Sequence, residues 1–299
     1  MKKRIHRRSA AVPSNVKYIS VEKMKEAIAR RDRFKPRASD PTVWRPSQAE
    51  LDAASRGSFD MLQFVKAILN QGELGSCTAF GWTGAVATRH MMKSNKFLLL
   101  SQLYLYYYER VKLGTVDEDS GAEVVDGADV LSQRGCPLSE SYPYKDDNQT
   151  FKNKPPASLD VEAGKYKIVE PLQVTPAVPH IKAALKAGMP IVFGFMVYKS
   201  FESGKTASTG VVTMPKPGEE ELGGHCVYAV GYTDSRGKVR SFGNKALVAN
   251  IGSKAPKNSL ICVNSWGERW GDKGVFYMPW TFVEKYAADY YIFKDVTGG

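Results

Sequence analysis

In several segments of the first 190 residues, apolar positions recur every three or four residues, which is the period of an amphipathic helix. This pattern predicts five helices, at residues 20–33, 77–93, 101–112, 121–135 and 178–189. The 77–93 helix contains Gly81, Gly84, Ala85 and Ala87, small residues that let a neighbouring element pack closely. We therefore expect it to be a central, buried helix.

After Pro190 the pattern changes to short β-branched and aromatic runs, separated by glycine, asparagine, aspartate and lysine. Four strands are predicted, in the sequences IVFGFMV, HCVYAVGY, KALVAN and LICVNSW. Because the helices come first and the strands second, the predicted fold class is α+β, with a helical half and a sheet half.

The N-terminal region differs from the rest of the chain in charge. Residues 1–37 contain 13 Lys and Arg against 3 Asp and Glu, whereas residues 38–299 contain 29 against 28. We predict a basic arm over residues 1–57, in which the 20–33 helix docks on a surface and residues 34–56 are a linker. Residues 1–37 could contact a polyanion or an acidic protein face.

Composition excludes several classes of protein. At 43% hydrophobic and 24% charged residues the chain is typical of a globular protein. It contains no run of 18 apolar residues, the length needed to span a membrane. No apolar segment follows the basic N-terminus, so we expect no secretory signal. With four cysteines, four histidines and no CxxC pair, we expect neither a disulfide framework nor a metal site, and no cofactor.

Candidate chemistry begins at Cys77, which lies where the central helix is predicted to start. The dipole and free N–H groups of a helix N-terminus favour the thiolate, which is the nucleophilic form. Of the four histidines, His225 is the best partner, because it follows two glycines at the start of an apolar strand. Asn264 ends another apolar strand and can orient the imidazole without requiring that it be neutral.

Three segments, in this order, resemble a known family: QGELGSCTAF, GGHCVYAVGY and NSWGERWGDKG. They are similar to the signature blocks of papain-like cysteine peptidases, the papain/cathepsin family, in which a histidine follows the cysteine by about 130–150 residues. Here the separation is 148 residues, from position 77 to position 225. The segments LSQLYLYYYER and GCPLSESYPY agree with the family pattern, so the resemblance covers residues 58–280.

The resemblance implies a role for each matching residue. Cys77 would be the nucleophile, His225 its base and later its acid, and Asn264 the amide that orients the imidazole. Gln71 would supply an oxyanion-hole side chain, with the Cys77 backbone N–H as the second donor.

The resemblance also implies substrate-binding residues and a fold. Gly121 would pair its backbone with an extended peptide, and Trp266 would shield the histidine. The implied fold has two lobes with the active site in the cleft between them. The helical lobe would span residues 58–165 and the β-rich lobe residues 166–299.

The chain departs from the family pattern at several positions. Leu74 replaces a cysteine that usually forms a disulfide beside the nucleophile, and Thr78 replaces the usual tryptophan. A disulfide between Cys226 and Cys262 is not expected, because strand parity places these residues on opposite faces. These features favour a reducing compartment, and we expect an intracellular or virion-associated protein.

The function expected from these residues is hydrolysis of peptide bonds through a thiolate–imidazolium pair of Cys77 and His225 and a thioester acyl-enzyme. Two alternatives remain open: a peptide ligase using the same site, and a non-catalytic papain-fold binding protein with a polyanion-binding arm. Residues 1–57 are also a candidate inhibitory pro-segment. We expect a monomer that acts on polypeptide substrates.

Overall fold

A computed structural model describes residues 15–235 and 255–298. Its helices are α1 Val21–Asp32, α2 Gln48–Ala54, α3 Cys77–Ser94, α4 Gln102–Leu113, α5 Val124–Gln133, α6 Leu159–Ala163, α7 Val178–Lys186, α8 Gly204–Thr209 and α9 Trp280–Tyr286. Its strands are β1 Val43–Trp44, β2 Phe59–Asp60, β3 Ile168–Val174, β4 Ile191–Tyr198, β5 Glu221–Tyr232, β6 Ser259–Val263, β7 Val275–Pro279 and β8 Ala287–Val296.

The strands form one mixed sheet in the order β1-β3-β8-β4-β5-β6-β7, and β2 pairs with β5. Neighbouring strands are antiparallel except for β1 and β3, which are parallel. The central strands β4 and β5 are almost fully buried, since α3 covers one face of β5 and the N-terminal helix α1 contacts another part of the same sheet. The predicted α+β class is confirmed.

Helix α3 is buried along nearly its whole length, as its small residues predicted. A Cβ on Gly81 would lie 3.1 Å from Cys226 Sγ, and a Cβ on Gly84 would lie 2.5 Å from the Tyr228 ring. The close approach of α3 to β5 therefore depends on glycine at position 84, and at position 81 an added methyl group would have to displace the Cys226 side chain slightly. The approach places the first residue of the helix against the strand that carries His225.

The five predicted helices are present, with ends shifted by a few residues. The linker predicted over residues 34–56 is wrong for its second half. There β1 pairs with β3, and α2 begins with a capping box in which Ser47 and Glu50 bond to each other's backbone N–H groups. These residues pack on the body, whereas an unstructured linker would not. The predicted KALVAN strand lies outside the described residues.

All four cysteines are buried and free, as expected for Cys226 and Cys262. Within residues 15–235 and 255–298, no helix is both long and apolar enough to cross a bilayer.

The contact between α3 and β5 predicts a large penalty for one added methyl group. Gly84→Ala should lower the free energy of unfolding by about 1–3 kcal/mol, because the new Cβ overlaps the buried Tyr228 ring. Urea denaturation followed by circular dichroism measures this. In the control, Gly204→Ala, the Cβ meets nothing within 4 Å, so this helical substitution should be neutral or stabilising. Equal effects of the two substitutions would contradict the packing argument.

Candidate active site

Cys77 is the first residue of α3, and its side chain is 1% exposed. Its Sγ accepts a hydrogen bond from the Cys226 backbone N–H at 3.4 Å, across the contact between α3 and β5. Cys77 and His225 line the same cavity. The structure thus brings the predicted nucleophile and base together from positions 148 residues apart in the chain.

His225 and Asn264 are joined by a hydrogen bond of 2.8 Å between Nε2 and Oδ1. The Asn264 oxygen also accepts the Ser265 backbone N–H at 2.9 Å, which fixes the orientation of the amide. His225 Nε2 must therefore be the donor in the neutral ring, so Nδ1 carries the lone pair. In the described part of the chain Nδ1 has no hydrogen-bond partner, which leaves it available as a base.

Aromatic rings surround the His225 imidazole. Trp266 lies 5.1 Å from it between ring centroids, tilted by 31°, and Phe195 contacts it edge-on at 5.8 Å. Trp266 in turn packs against Trp270 at 5.0 Å. This packing excludes water from the ring and fixes its orientation, the position expected of a shield.

Gln71 is completely buried and its side-chain amide is held at both ends. Nε2 donates to the Leu74 carbonyl at 2.9 Å, and Oε1 accepts the Ser265 hydroxyl at 2.5 Å. Since Leu74 O takes one of the two Nε2 hydrogens, the other remains free to donate. Ser265 therefore links the Gln71 amide to the adjacent Asn264, a role that sequence reasoning missed although Ser265 stands in the NSW motif.

The loop before Cys77 is held by Asp146, in the region where Leu74 replaces the family cysteine. The Asp146 carboxylate accepts the backbone N–H of Glu73 at 3.0 Å and of Leu74 at 3.3 Å. Gly72 has a φ of +63°, and a Cβ there would overlap the carboxylate. Two charge-assisted hydrogen bonds thus hold a loop that the family pattern would tie with a disulfide.

The N-terminal segment, defined here as residues 15–32, covers this site. Ile19 forms an antiparallel bridge with Gly224, whose neighbour is His225: Ile19 N donates to Gly224 O at 3.1 Å, and Gly224 N donates to Ile19 O at 2.9 Å. The Ile19 side chain lies against Gly121, where a Cβ would be 2.6 Å from Ile19 Cγ2. Gly121, predicted to bind substrate, therefore contacts the chain's own segment.

Further contacts fix the segment on both sides of the cleft. The Tyr18 ring meets the His225 ring edge-on at 6.0 Å, and the Tyr18 hydroxyl donates to Glu202 at 2.7 Å. Lys17 pairs with the largely buried Asp119 at 2.9 Å. Cys77 and His225 are consequently shielded from solvent.

The cover determines the protonation of the candidate pair. Burial raises the pKa of the Cys77 thiol to about 12, although the backbone N–H groups of Cys226 and Thr78 act in the opposite direction. Burial lowers the pKa of His225 to about 4, and its bond to Asn264 only partly offsets this. Burial thus disfavours the charged form of both groups while the segment covers them.

Within the described ranges, no group of three or more His, Cys, Asp or Glu residues is arranged to hold a metal ion.

Comparison with known proteins places these residues in context. The model of the papain family of cysteine proteases matches residues 54–287. An uncharacterized peptidase C1-like protein of Acanthamoeba polyphaga mimivirus is 34% identical over 257 residues, which cover 81% of this chain and 75% of that protein. A cathepsin L-like peptidase of Aedes aegypti is 27% identical over 210 residues, which cover 70% of this chain and 54% of that protein.

Among solved structures, this chain is similar to xylellain, a cysteine protease from Xylella fastidiosa. The two are 26% identical and superpose with a TM-score of 0.74, and the match covers 98% of this chain and 99% of that one.

The Asp146 contact predicts a local loss of protection. Asp146→Asn should speed hydrogen exchange at the amides of Glu73 and Leu74 and lower the free energy of unfolding by about 1–2 kcal/mol, because the acceptor loses its charge. Exchange followed by mass spectrometry measures this. Asp147→Asn is the matched control, because Asp147 instead accepts the N–H groups of Gln149 and Thr150. Unchanged exchange at 73 and 74 would contradict the role of Asp146.

The lowered pKa of His225 predicts a pH-dependent stability. The unfolded chain binds a proton on this residue below about pH 6.5, whereas the folded chain does so only near pH 4, so stability is lost as pH falls through this window. Wild type should therefore lose roughly 3 kcal/mol more than His225→Gln between pH 7.5 and pH 4. Denaturant midpoints at several pH values test this, and parallel pH curves would refute it.

Proposed function

Because the chain belongs to the papain family of cysteine proteases, we propose that it is a peptidase that hydrolyses peptide bonds through Cys77. The observation that carries this proposal is the convergence of four groups at one point. The Cys77 thiol, the hydrogen-bonded pair of His225 and Asn264, and the Gln71 amide come from separate elements and meet at one end of α3.

In the proposed reaction, His225 Nδ1 takes the thiol proton and Cys77 Sγ attacks the substrate carbonyl carbon. Gln71 Nε2 and the Cys77 backbone N–H donate to the oxygen that becomes negative. His225, now an imidazolium held by Asn264, gives its proton to the leaving amine. A thioester to Cys77 remains, and water activated by the same imidazole hydrolyses it.

We propose that residues 15–32 keep the enzyme inactive by covering the cleft. The pairing of Ile19 with Gly224 is the kind of backbone pairing that an extended substrate would use, and Gly121 lies on the other side of the same side chain. Once this segment leaves, water reaches Cys77 and His225. The loss of burial brings the pKa values of both groups back toward their ordinary range, which favours the ion pair.

Part of the basic arm has a partner within the chain. Lys17 pairs with Asp119, and Lys25 pairs with Glu221 at 2.6 Å. Both acidic partners lie outside the N-terminal segment. We propose that this charge serves to dock the N-terminal segment on an acidic rim of the cleft. These two ion pairs form without a polyanion, so contact of residues 1–37 with a polyanion stays a prediction.

A charged residue introduced on the face of the N-terminal segment that contacts the cleft tests both the peptidase proposal and the proposed inhibition, in the full chain. Ile19→Asp places a carboxylate in a partly buried position against Gly121 and Gly224, so it should displace the segment and raise labelling by an epoxysuccinyl inhibitor at least tenfold near pH 6. Intact mass spectrometry measures the adduct, and a fluorogenic peptide measures hydrolysis. Ala29→Asp adds the same charge to an exposed position of α1 and should change neither.

Each result has a distinct meaning. Ile19→Asp combined with Cys77→Ala should give no adduct and no hydrolysis. Wild type labelled as fast as Ile19→Asp would show that the segment does not block the cleft. A folded Ile19→Asp protein with no adduct would favour the non-catalytic alternative, whereas acyl transfer to an added amine in preference to water would favour a ligase.

A further inference from the structure

A pocket beside Cys77 has an unusual distribution of charge. Of the described residues that line the cavity shared by Cys77 and His225, the cations Lys23 and Arg30 both belong to α1. The two carboxylates that line it, Glu123 and Asp289, both belong to the body. Removal of the segment would therefore leave an acidic pocket without its cations.

Arg30 pairs with both acids. Its Nη2 lies 2.9 Å from Glu123 Oε2 and 3.3 Å from Asp289 Oδ2, so one guanidinium nitrogen contacts both carboxylates. The Asp289 side chain is only 19% exposed even though it is charged. A guanidinium matches such a pair of oxygens because its planar N–H groups point in fixed directions.

The walls between Cys77 and these acids are apolar. Met24 fills the space beside Val124 and Gly194, and a Cβ on Gly194 would contact the end of the Met24 side chain. The pocket thus combines apolar walls with an acidic end. Such a shape accommodates the aliphatic stem of a long basic side chain and pairs its charged tip.

The backbone around Asp289 is distorted so that its side chain reaches the pocket. Asp289, the third residue of β8, has a φ of +54°, and the register with β4 shifts at this point, from Val192↔Tyr291 to Gly194↔Ala288. Such a bulge re-aims a side chain, and a left-handed non-glycine residue is costly. The fold bears this cost where it points a carboxylate into a cavity next to the candidate nucleophile.

Resting on the proposed peptidase function, we propose that Glu123 and Asp289 form the acidic end of a substrate pocket that binds an arginine side chain. In the covered chain, Arg30 occupies this acidic end from α1. The substrate class is thus a polypeptide with arginine at the position whose side chain enters this pocket.

The test uses the full chain carrying Ile19→Asp and Arg30→Ala, which displaces the segment and removes the internal guanidinium. A fluorogenic peptide library varied at each position before the scissile bond measures kcat/KM. At one position, kcat/KM for the peptide with arginine should exceed that for the peptide with leucine by about tenfold or more, as expected for a guanidinium bound by two carboxylates. Epoxysuccinyl peptides that carry arginine or leucine at that position measure the same selectivity by labelling rate.

Adding Asp289→Asn should reduce this arginine-to-leucine ratio to about 1–3, and adding Glu123→Gln should reduce it as well. Asparagine tolerates a positive φ, so the first substitution preserves the backbone at this position. The matched control is Asp295→Asn, since Asp295 lies on the same strand but pairs with Lys93 at the surface, and it should leave the ratio unchanged.

The outcomes separate the two proposals. If the parent variant hydrolyses peptides without preferring arginine, or if its ratio survives both Asp289→Asn and Glu123→Gln, the pocket proposal is wrong and the peptidase stands. If the variant is labelled but hydrolyses nothing, the peptidase proposal fails while the labelling ratio still decides the pocket. If one of the two variants does not fold, the ratio in the other decides. A folded parent variant that neither reagent labels overturns both proposals.

Discussion

The contact between α3 and β5 is the constraint on which the rest of the site depends. The absence of side chains at Gly81 and Gly84 makes this close approach possible, because a Cβ at position 84 would overlap the Tyr228 ring and one at position 81 would press on Cys226 Sγ. The approach brings the thiol of Cys77 to the backbone of Cys226 and therefore to the residue beside His225. His225 is hydrogen-bonded to Asn264, which directly follows β6. The next residue, Ser265, is hydrogen-bonded to Gln71 in the loop before α3, so these contacts hold that loop in place relative to His225.

The same cavity holds two chemical states of the protein. While the N-terminal segment is in place, burial raises the pKa of the Cys77 thiol and lowers the pKa of the His225 imidazole, which disfavours the charged form of each. The apolar contacts of Ile19 and Met24 fill the site, and Arg30 neutralises its acidic end. Each of these contacts has a counterpart in what an extended peptide could offer, so under the proposed function the segment and a substrate would compete for one surface.

Long periodic segments were predictable from the sequence, and so was the pairing of His225 with Asn264. Helices α3, α4 and α5 and strands β4, β5 and β6 have enough residues to show their period. Strand β1 and helix α2 do not, although the Ser47–Glu50 capping pattern stood in the sequence and was missed. The roles of Ser265 and Asp146 depend on loops that meet only in the folded chain. The 20–33 helix was predicted as amphipathic, but no pattern identifies the surface on which it docks.

The short connection between the N-terminal segment and the sheet has a consequence for how the cleft is kept closed. Only residues 33–42 separate the end of α1 from β1, which is anchored to β3. So short a tether holds the segment near its seat at an effective concentration on the order of millimolar, whatever the concentration of the protein. A single cut in this connection would convert the closure into an ordinary two-molecule equilibrium. Dilution alone would then open the cleft, without any change in the contacts themselves.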